Sequence, residues 1–484
     1  MIKKTLIYLT LLTPFTAFAQ NDAPVSKKFY KDASAVPGVL ILNDQVNIIA
    51  VQAGKKNADV MAVNDHMETL WTTPLTGSGV TIEKFKDKIV AITTDDEAKD
   101  VAVTNAFILD PKTGKVLLEK KLFEIKKDYL IEKHIFTGEG KYLKISLRET
   151  GFKNTLHIAT VFSNPYKSMN ETRDITVMEY DDQLNAKQYK IDLHEGTLEN
   201  ITTDINGNFI VSWLNQNHLE IVKYGTGSNT AIANIKADVP YEADKNYDPF
   251  HSLYFISSTT NASTMYCAAI FDNQDSKTEL SIGKFDFATG KTNFTEEVFT
   301  SDHLKSLRKA FVPVNKKMDA PTFEKKGLDI RSVTEAGDKL VVSLSALISI
   351  QSPNEAPWKN ETSFLLNIYD TNINLKAQQF LPVVYYVPVT TLPTEYHYND
   401  GKLYVICNDK TGATKLKAVY GVLNLQSGQW EKLDWLSKKD LDGADVGLSN
   451  STMWFKNSFI LPYGDLKILW GTKEEDIKLQ QNTL

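Results

Sequence analysis

The densest set of chemistry-bearing side chains lies in VVYYVPVTTLPTEYHY, residues 383 to 398, where Tyr385, Tyr386, Tyr396, His397 and Tyr398 surround two prolines. Trp358 stands in a nearby segment, SPNEAPWKNET. Flat aromatic faces beside hydrogen-bonding groups suit stacking on sugar rings or anchoring in a protein interface. The plainer role for alternating tyrosines is to cover a core beneath a long loop. Trp358, Tyr385, Tyr386, Tyr396 and Tyr398 are therefore the candidate partner-binding residues.

Other groupings carry less. KKDLDGADVG brings Asp440, Asp442 and Asp445 close enough in sequence to share a hard cation. An EF-hand loop would need further oxygen ligands and a terminal Glu, yet position 451 is Ser451. TTDDEAKD holds Asp95, Asp96 and Glu97, types that glycoside hydrolysis uses in pairs, but adjacency says nothing of their separation across a site. GTGSN from Gly225, and Thr113-Gly114-Lys115, look like phosphate loops but sit between strand-like runs rather than at the start of a helix. The eight histidines include no His-Glu-x-x-His pair, and no Gly-x-Ser-x-Gly elbow occurs. No catalytic residue, metal ligand or cofactor is assigned.

The chain begins MIKKTLIYLTLLTPFTAFAQ: a basic start, an apolar run from Leu6 to Phe15, and the small-residue pattern Ala17-Phe18-Ala19. This predicts a signal peptide over residues 1–19, cleaved before Gln20, and export of a soluble bacterial protein to the periplasm or the medium. No later stretch offers about 18 uncharged apolar residues, so no membrane span is expected. Loss of Lys3 and Lys4 takes the formal charge from -6 to -8 (-6 minus 2), and no basic block with interleaved aromatics suggests a nucleic acid partner. Cys267 and Cys407 both fall in strand-like runs, where buried thiols are the simpler expectation than a disulfide.

The elements that must position these residues are strands. Runs of Val, Ile, Leu, Tyr and Phe bounded by Gly, Asn, Asp and Lys follow the signal peptide, and helical spacing is scarce. One hairpin recurs as LNDQVNIIAV, FKDKIVAI, DINGNFIVSW, EAGDKLVVSL and YNDGKLYVIC, among others. Asn206-Gly207 and Asp400-Gly401 predict two-residue turns, because both central residues of such turns need positive φ. A second hairpin alternates with it: VMAVNDHMETLWTTPL, FILDPKTGKVLLEKKL, IGKFDFATGKTNFTEEVF and YGVLNLQSGQWEKLDW are copies. Each occurs about eight times, the first hairpin at an uneven spacing that averages about 59 residues.

Two hairpins make a four-stranded unit that cannot bury both faces alone, so copies must stack, and radial stacking gives a β-propeller. Residues 20–484 are expected to form one all-β propeller of about eight four-stranded blades, or seven if the degenerate last unit completes the first blade. No Pro/Gly/Ser linker divides the chain into smaller β domains. The stretch Phe107-Ile-Leu-Asp-Pro-Lys-Thr-Gly-Lys resembles the repeats of quinoprotein-like propellers, and Asp204-Ile-Asn-Gly-Asn-Phe resembles the inner hairpin of extracellular ones. The quinoprotein resemblance would imply an adjacent cysteine pair beside a cofactor. Cys267 and Cys407 stand in different repeats, so that chemistry is not carried over.

Antiparallel order sends the first-to-second and third-to-fourth turns to one rim and the remaining connections to the other. The quoted turns are short. Every long insertion falls in the other class: Arg148 to Asp174, Val239 to His251, Ser301 to Leu328, Ala346 to Thr362, Pro382 to His397 and Ser437 to Gly447. The expectation is a non-enzymatic, monomeric propeller binding a protein or surface polymer through that decorated rim. The alternative is a carbohydrate-active hydrolase or lyase at the channel mouth of the same rim.

Overall fold

A computed structural model describes residues 25–54, 56–95, 101–126, 131–137, 141–149, 172–240, 250–272, 278–312, 314, 321, 323, 328–350, 358–361, 363–383, 385–386, 394–411, 416–437, 441, 445–465 and 475–484. The expected signal peptide, Asp96, Glu97, Asp440 and Asp442 lie outside them.

Antiparallel units follow one another along the chain: 78–126, 131–191, 197–238, 250–299 and 395–435 are four-stranded sheets, 328–381 forms most of a six-stranded sheet, and 38–76 and 445–483 belong to one nine-stranded sheet. First strands of successive units lie side by side: Gly38–Asn43 beside Ser78–Phe85, then Ile131–Thr137, Thr197–Thr203, Phe250–Ser257 and Leu328–Ala336. This is the order of a β-propeller. The last unit takes its outer strand from the other end of the chain: Val25–Ala33 pairs antiparallel with Glu475–Thr483, from Val25 opposite Gln481 to Ala33 opposite Glu475. The first and last units thereby join in one nine-stranded sheet.

Both faces of the inner strands are buried, which is why they read as continuous apolar runs rather than clean alternation. Ile48 and Ala50 pack with Ile89 and Phe107 of the second unit, while Ile49 and Val51 turn the other way onto Ile460 and Ile477 of the last. The same split recurs. Phe209 and Val211 meet Ile175, whereas Ile210 meets Met265; Leu340 and Val342 meet Ala268, whereas Val341 meets Leu403; and Ile406 meets Phe459. Each such side chain contributes about 1.5–3 kcal/mol on burial, so the cores between units dominate cohesion. Cys267 and Cys407 are buried, unpaired thiols in two of these cores.

The turns explain the sequence signature. In Asp110–Lys115 the Asp110 carboxylate accepts from the amides of Lys112 (3.0 Å) and Thr113 (2.8 Å) and from the Thr113 hydroxyl (2.8 Å), while Gly114 takes φ +71°. Asp286 and Asn424 head matching turns, closed by Gly290 and Gly428. A second class begins at Asn64, Asp181 or Asp370 and places Met67, Leu184 or Ile373 at positive φ. Asp400-Gly401 is the expected two-residue turn, with both residues at positive φ. Asn206-Gly207 is not. Thr203 pairs with Phe209, and the Gly207 amide returns to the Asp204 carbonyl at 3.0 Å, so Asp204 nucleates a longer loop with Gly207 in the left-handed position.

Candidate functional site

The strand order divides the two rims sharply. Turns on one rim, hereafter the turn rim, reach no further than stretches such as 110–115, 225–230 and 258–263. The connections spanning 150–171, 239–249, 300–327, 351–363, 382–394, 436–444 and 466–474 all begin and end on the opposite, loop rim. Among the described residues the one α-helix, Ser301–Ala310, belongs to this rim. Thr300 caps it by accepting from the His303 amide, and Leu304 seats it on the core below.

The turn rim is fastened from unit to unit. Trp71 Nε1 donates to the Pro111 carbonyl (3.1 Å) and the Thr73 hydroxyl to the Gly114 carbonyl (2.6 Å). Lys86 pairs with Asp182 (2.8 Å), the Gly227 amide donates to Glu179 (2.8 Å), and Lys284 donates to Asn372 (3.2 Å). Away from this rim, Trp430 Nε1 donates to the Phe380 carbonyl (2.9 Å) and ties the seventh unit to the sixth. The two phosphate-loop lookalikes are spent in this way: Asp110 occupies the donors of one, and the Glu179 carboxylate takes the Gly227 amide of the other.

On the loop rim the sixth unit grows a small additional sheet. The strand Lys339–Ile350 pairs with Phe364–Asp370 over its first part, then its last residues, from Leu347, pair with Trp358–Glu361. That strand in turn pairs with Tyr385–Tyr386: Trp358 stands opposite Ile350, Tyr386 opposite Asn360, and Tyr385 opposite Glu361. Two insertions that are separate in sequence are therefore knitted together at backbone level, and Trp358, Tyr385 and Tyr386 lie on paired strands of one small sheet.

Tyr396 and Tyr398 do not join it. They lie on Glu395–Asn399, the first strand of the next unit, which runs from the loop rim to the turn rim. The Tyr396 hydroxyl donates to Ser343 Oγ at 2.9 Å, and desolvation pushes its pKa well up, so this ring ties two units together. Tyr398 is 40% exposed but lies against Gly337, in a tight turn of the turn rim. Between them His397 stacks on Trp454, with ring centroids 4.6 Å apart. A strand carries successive residues away from a rim, so adjacency in sequence does not make one patch.

Two polar features escaped sequence reasoning. Glu395, half-buried where the same strand leaves the loop rim, has its carboxyl pushed up to about 7 by desolvation. In the connection between the third and fourth units, His194 Nδ1 lies 3.2 Å from Glu220, and its Nε2 lies 3.5 Å from the Tyr224 hydroxyl. Asn234 (2.7 Å) and Lys236 (3.3 Å) also engage Glu220. Tyr224 is buried against Phe209 (4.7 Å, 9°), and burial pushes its hydroxyl up to about 12. The arrangement orients an imidazole but withholds its phenol from solvent, so it packs the junction. Nothing local in the sequence pairs His194 with Glu220. Of the earlier acids, Asp445 is buried in an ion pair with Lys478 at 2.8 Å, which removes it from any shared cation site.

No protein-family model matches the chain, and no curated protein matches it. Among solved structures it is similar to the β-propeller domain of the Trilobed protease from Pyrococcus furiosus (TM-score 0.37, 8% identity, covering 84% of this chain and 97% of that one). It is also similar to the WD40 domain of SCAP from fission yeast (0.41, 8%, 94% and 98%) and to the polysaccharide lyase Uly1 (0.44, 10%, 84% and 89%). The propeller assignment itself rests on the strand order and shared cores described above.

Proposed function

We propose that the protein is an exported, eight-bladed, monomeric propeller that binds a protein or surface polymer through its loop rim, with Trp358, Tyr385 and Tyr386 at the contact. The observation that carries this reading is the division between rims: short turns tied to their neighbours on one side, all long insertions and the added sheet on the other. Loops held by a rigid scaffold are where binding residues concentrate. The count of eight is supported by the shared cores, which run from each unit to the next and from the last to the first, with Val25–Ala33 proposed as the outer strand of the eighth blade. Export follows from the leader-like first 20 residues.

A photo-crosslinking residue at position 358 or 386, compared with one at Lys112 on the turn rim, tests it in cells producing the full chain. Adducts are expected from the first two positions, and alanine at Trp358, Tyr385 and Tyr386 together should abolish them. Adducts from position 112 alone would overturn the assignment. N-terminal sequencing of the exported form should begin at Gln20.

A second reading, a carbohydrate-active hydrolase or lyase at the channel mouth, is favoured by Glu395, whose raised carboxyl suits general acid work near neutral pH. It predicts depolymerisation of a polysaccharide, followed by reducing ends or unsaturated products, that Glu395→Gln abolishes.

A further inference from the structure

On the turn rim, between the seventh and eighth units, a cleft of about 520 Å³ is lined by Lys402, Tyr404, Glu431, Lys432, Lys456 and Asn457, with Val422, Thr483 and Leu484 completing its wall. Its size falls within the roughly 300–1,000 Å³ of small-molecule sites. Its charge runs against that of the molecule: three lysines and one glutamate line it, whereas the chain as a whole carries -6. Internal pairing consumes one of the three lysines. Lys402 Nζ lies 2.7 Å from Glu431, whose other oxygen accepts from Asn424 at 2.8 Å.

Lys432 and Lys456 remain to face a ligand. Lys432 is held with its ammonium 4.8 Å from the centre of the Tyr420 ring, which fixes it without neutralising it. Lys456 stands in a turn whose amide donates to the Asp44 carbonyl at 3.2 Å, so its backbone is anchored to the first unit. Beside these cations the Tyr404 ring and Val422 supply an apolar wall. We infer that this cleft binds a small organic acid, a carboxylate or phosphate monoester on a sugar-sized body, with its anionic group at Lys432 and Lys456 and its body against Tyr404. The site is separate from the loop rim, and neither reading depends on the other.

Glucuronate, glucose 6-phosphate and glucose share a body and differ in charge, so saturation-transfer NMR with the full chain separates the cases. One or both anions should bind about tenfold or more tightly than glucose at low salt, and weaken as salt screens the lysines. Glucuronate alone binding assigns a carboxylate site, and glucose 6-phosphate alone assigns a phosphate monoester site. Lys432→Gln and Lys456→Gln are surface changes that should leave the melting temperature unchanged, yet each should weaken binding at least threefold, and together abolish it. No binding by either anion, equal binding by glucose, or unchanged affinity in the double variant would overturn the inference.

Discussion

Trp71 and Gly114 touch across the boundary between the first two units so closely that a Cβ at position 114 would overlap the indole ring. Gly114 also sits at φ +71°, where an L side chain costs about 1 kcal/mol by itself. Gly290 occupies the same place in the matching turn of the fifth unit, at φ +69°, with nothing within 4 Å of an added Cβ. Gly290→Ala should therefore cost about 1 kcal/mol, and Gly114→Ala about 3 kcal/mol once overpacking is added. Urea midpoints measure both, and equal losses would show that the indole contact carries no weight.

Ile373 is a β-branched residue at φ +60°, a position that glycine would hold without strain, yet it is 3% exposed within the core shared by the fifth and sixth units. Relief of strain favours glycine by about 1–2 kcal/mol. Lost burial and the greater freedom of an unfolded glycine oppose it by about 3–4 kcal/mol. Ile373→Gly should accordingly destabilise by about 2 kcal/mol in equilibrium unfolding. A stabilised variant would mean that the backbone strain outweighs the core.

The local rules were legible in the sequence, and the long-range ones were not. Asp400-Gly401 and the recurring Asp-x-x-x-Gly stretches announce turns because φ preference is a property of one or two residues. The two rims follow from antiparallel order and connection length. The apolar left-handed residues Met67, Leu184 and Ile373 give no such signal, because each is chosen by a core formed with another unit. Tyr396 and Tyr398 looked like neighbours of Tyr385 and Tyr386 because chain proximity hid a strand that carries them away from the loop rim. The pairing of Trp358–Glu361 with Tyr385–Tyr386 joins two segments placed on the same rim, but their register was not readable.

Asp204 and Lys223 form an ion pair at 2.5 Å with side chains 0% and 7% exposed. Asp204 also accepts from Asn206 and Asn208, and Lys223 donates to the Ala262 carbonyl of the next unit at 2.7 Å. Lys223→Met would strand a buried carboxylate and should cost about 3 kcal/mol. Asp204→Asn together with Lys223→Met removes the charge while keeping the turn's acceptor, and should recover at least about 1 kcal/mol of that loss. A double-mutant cycle with no coupling would place the cost in the lost Ala262 contact instead.

Stability should fall on both sides of a maximum near pH 5, for opposite reasons. Hydrogen bonds from Thr113 hold the Asp110 carboxyl below its ordinary value, and those from Thr289 do the same for Asp286. Asp370 is lowered by Asn374 and Lys376 against a desolvation that pulls the other way. For these groups the folded state binds the proton less readily than the unfolded chain, so their contribution is present above about pH 4 and is lost as pH drops further. Glu395 has the reverse sign. Burial raises it from 4.5 to about 7, so across that window the folded state holds a proton the unfolded chain has released, and stability declines as pH rises. Glu83 and Glu297, also raised by burial, add to the decline. Glu395→Gln removes the largest of these penalties. Between pH 5 and pH 8 the parent should lose about 2 kcal/mol more than the variant, by urea unfolding at each pH. Parallel curves for the two proteins would show that the Glu395 carboxylate is solvated in the folded state, and would weaken its candidacy as an acid at the channel mouth.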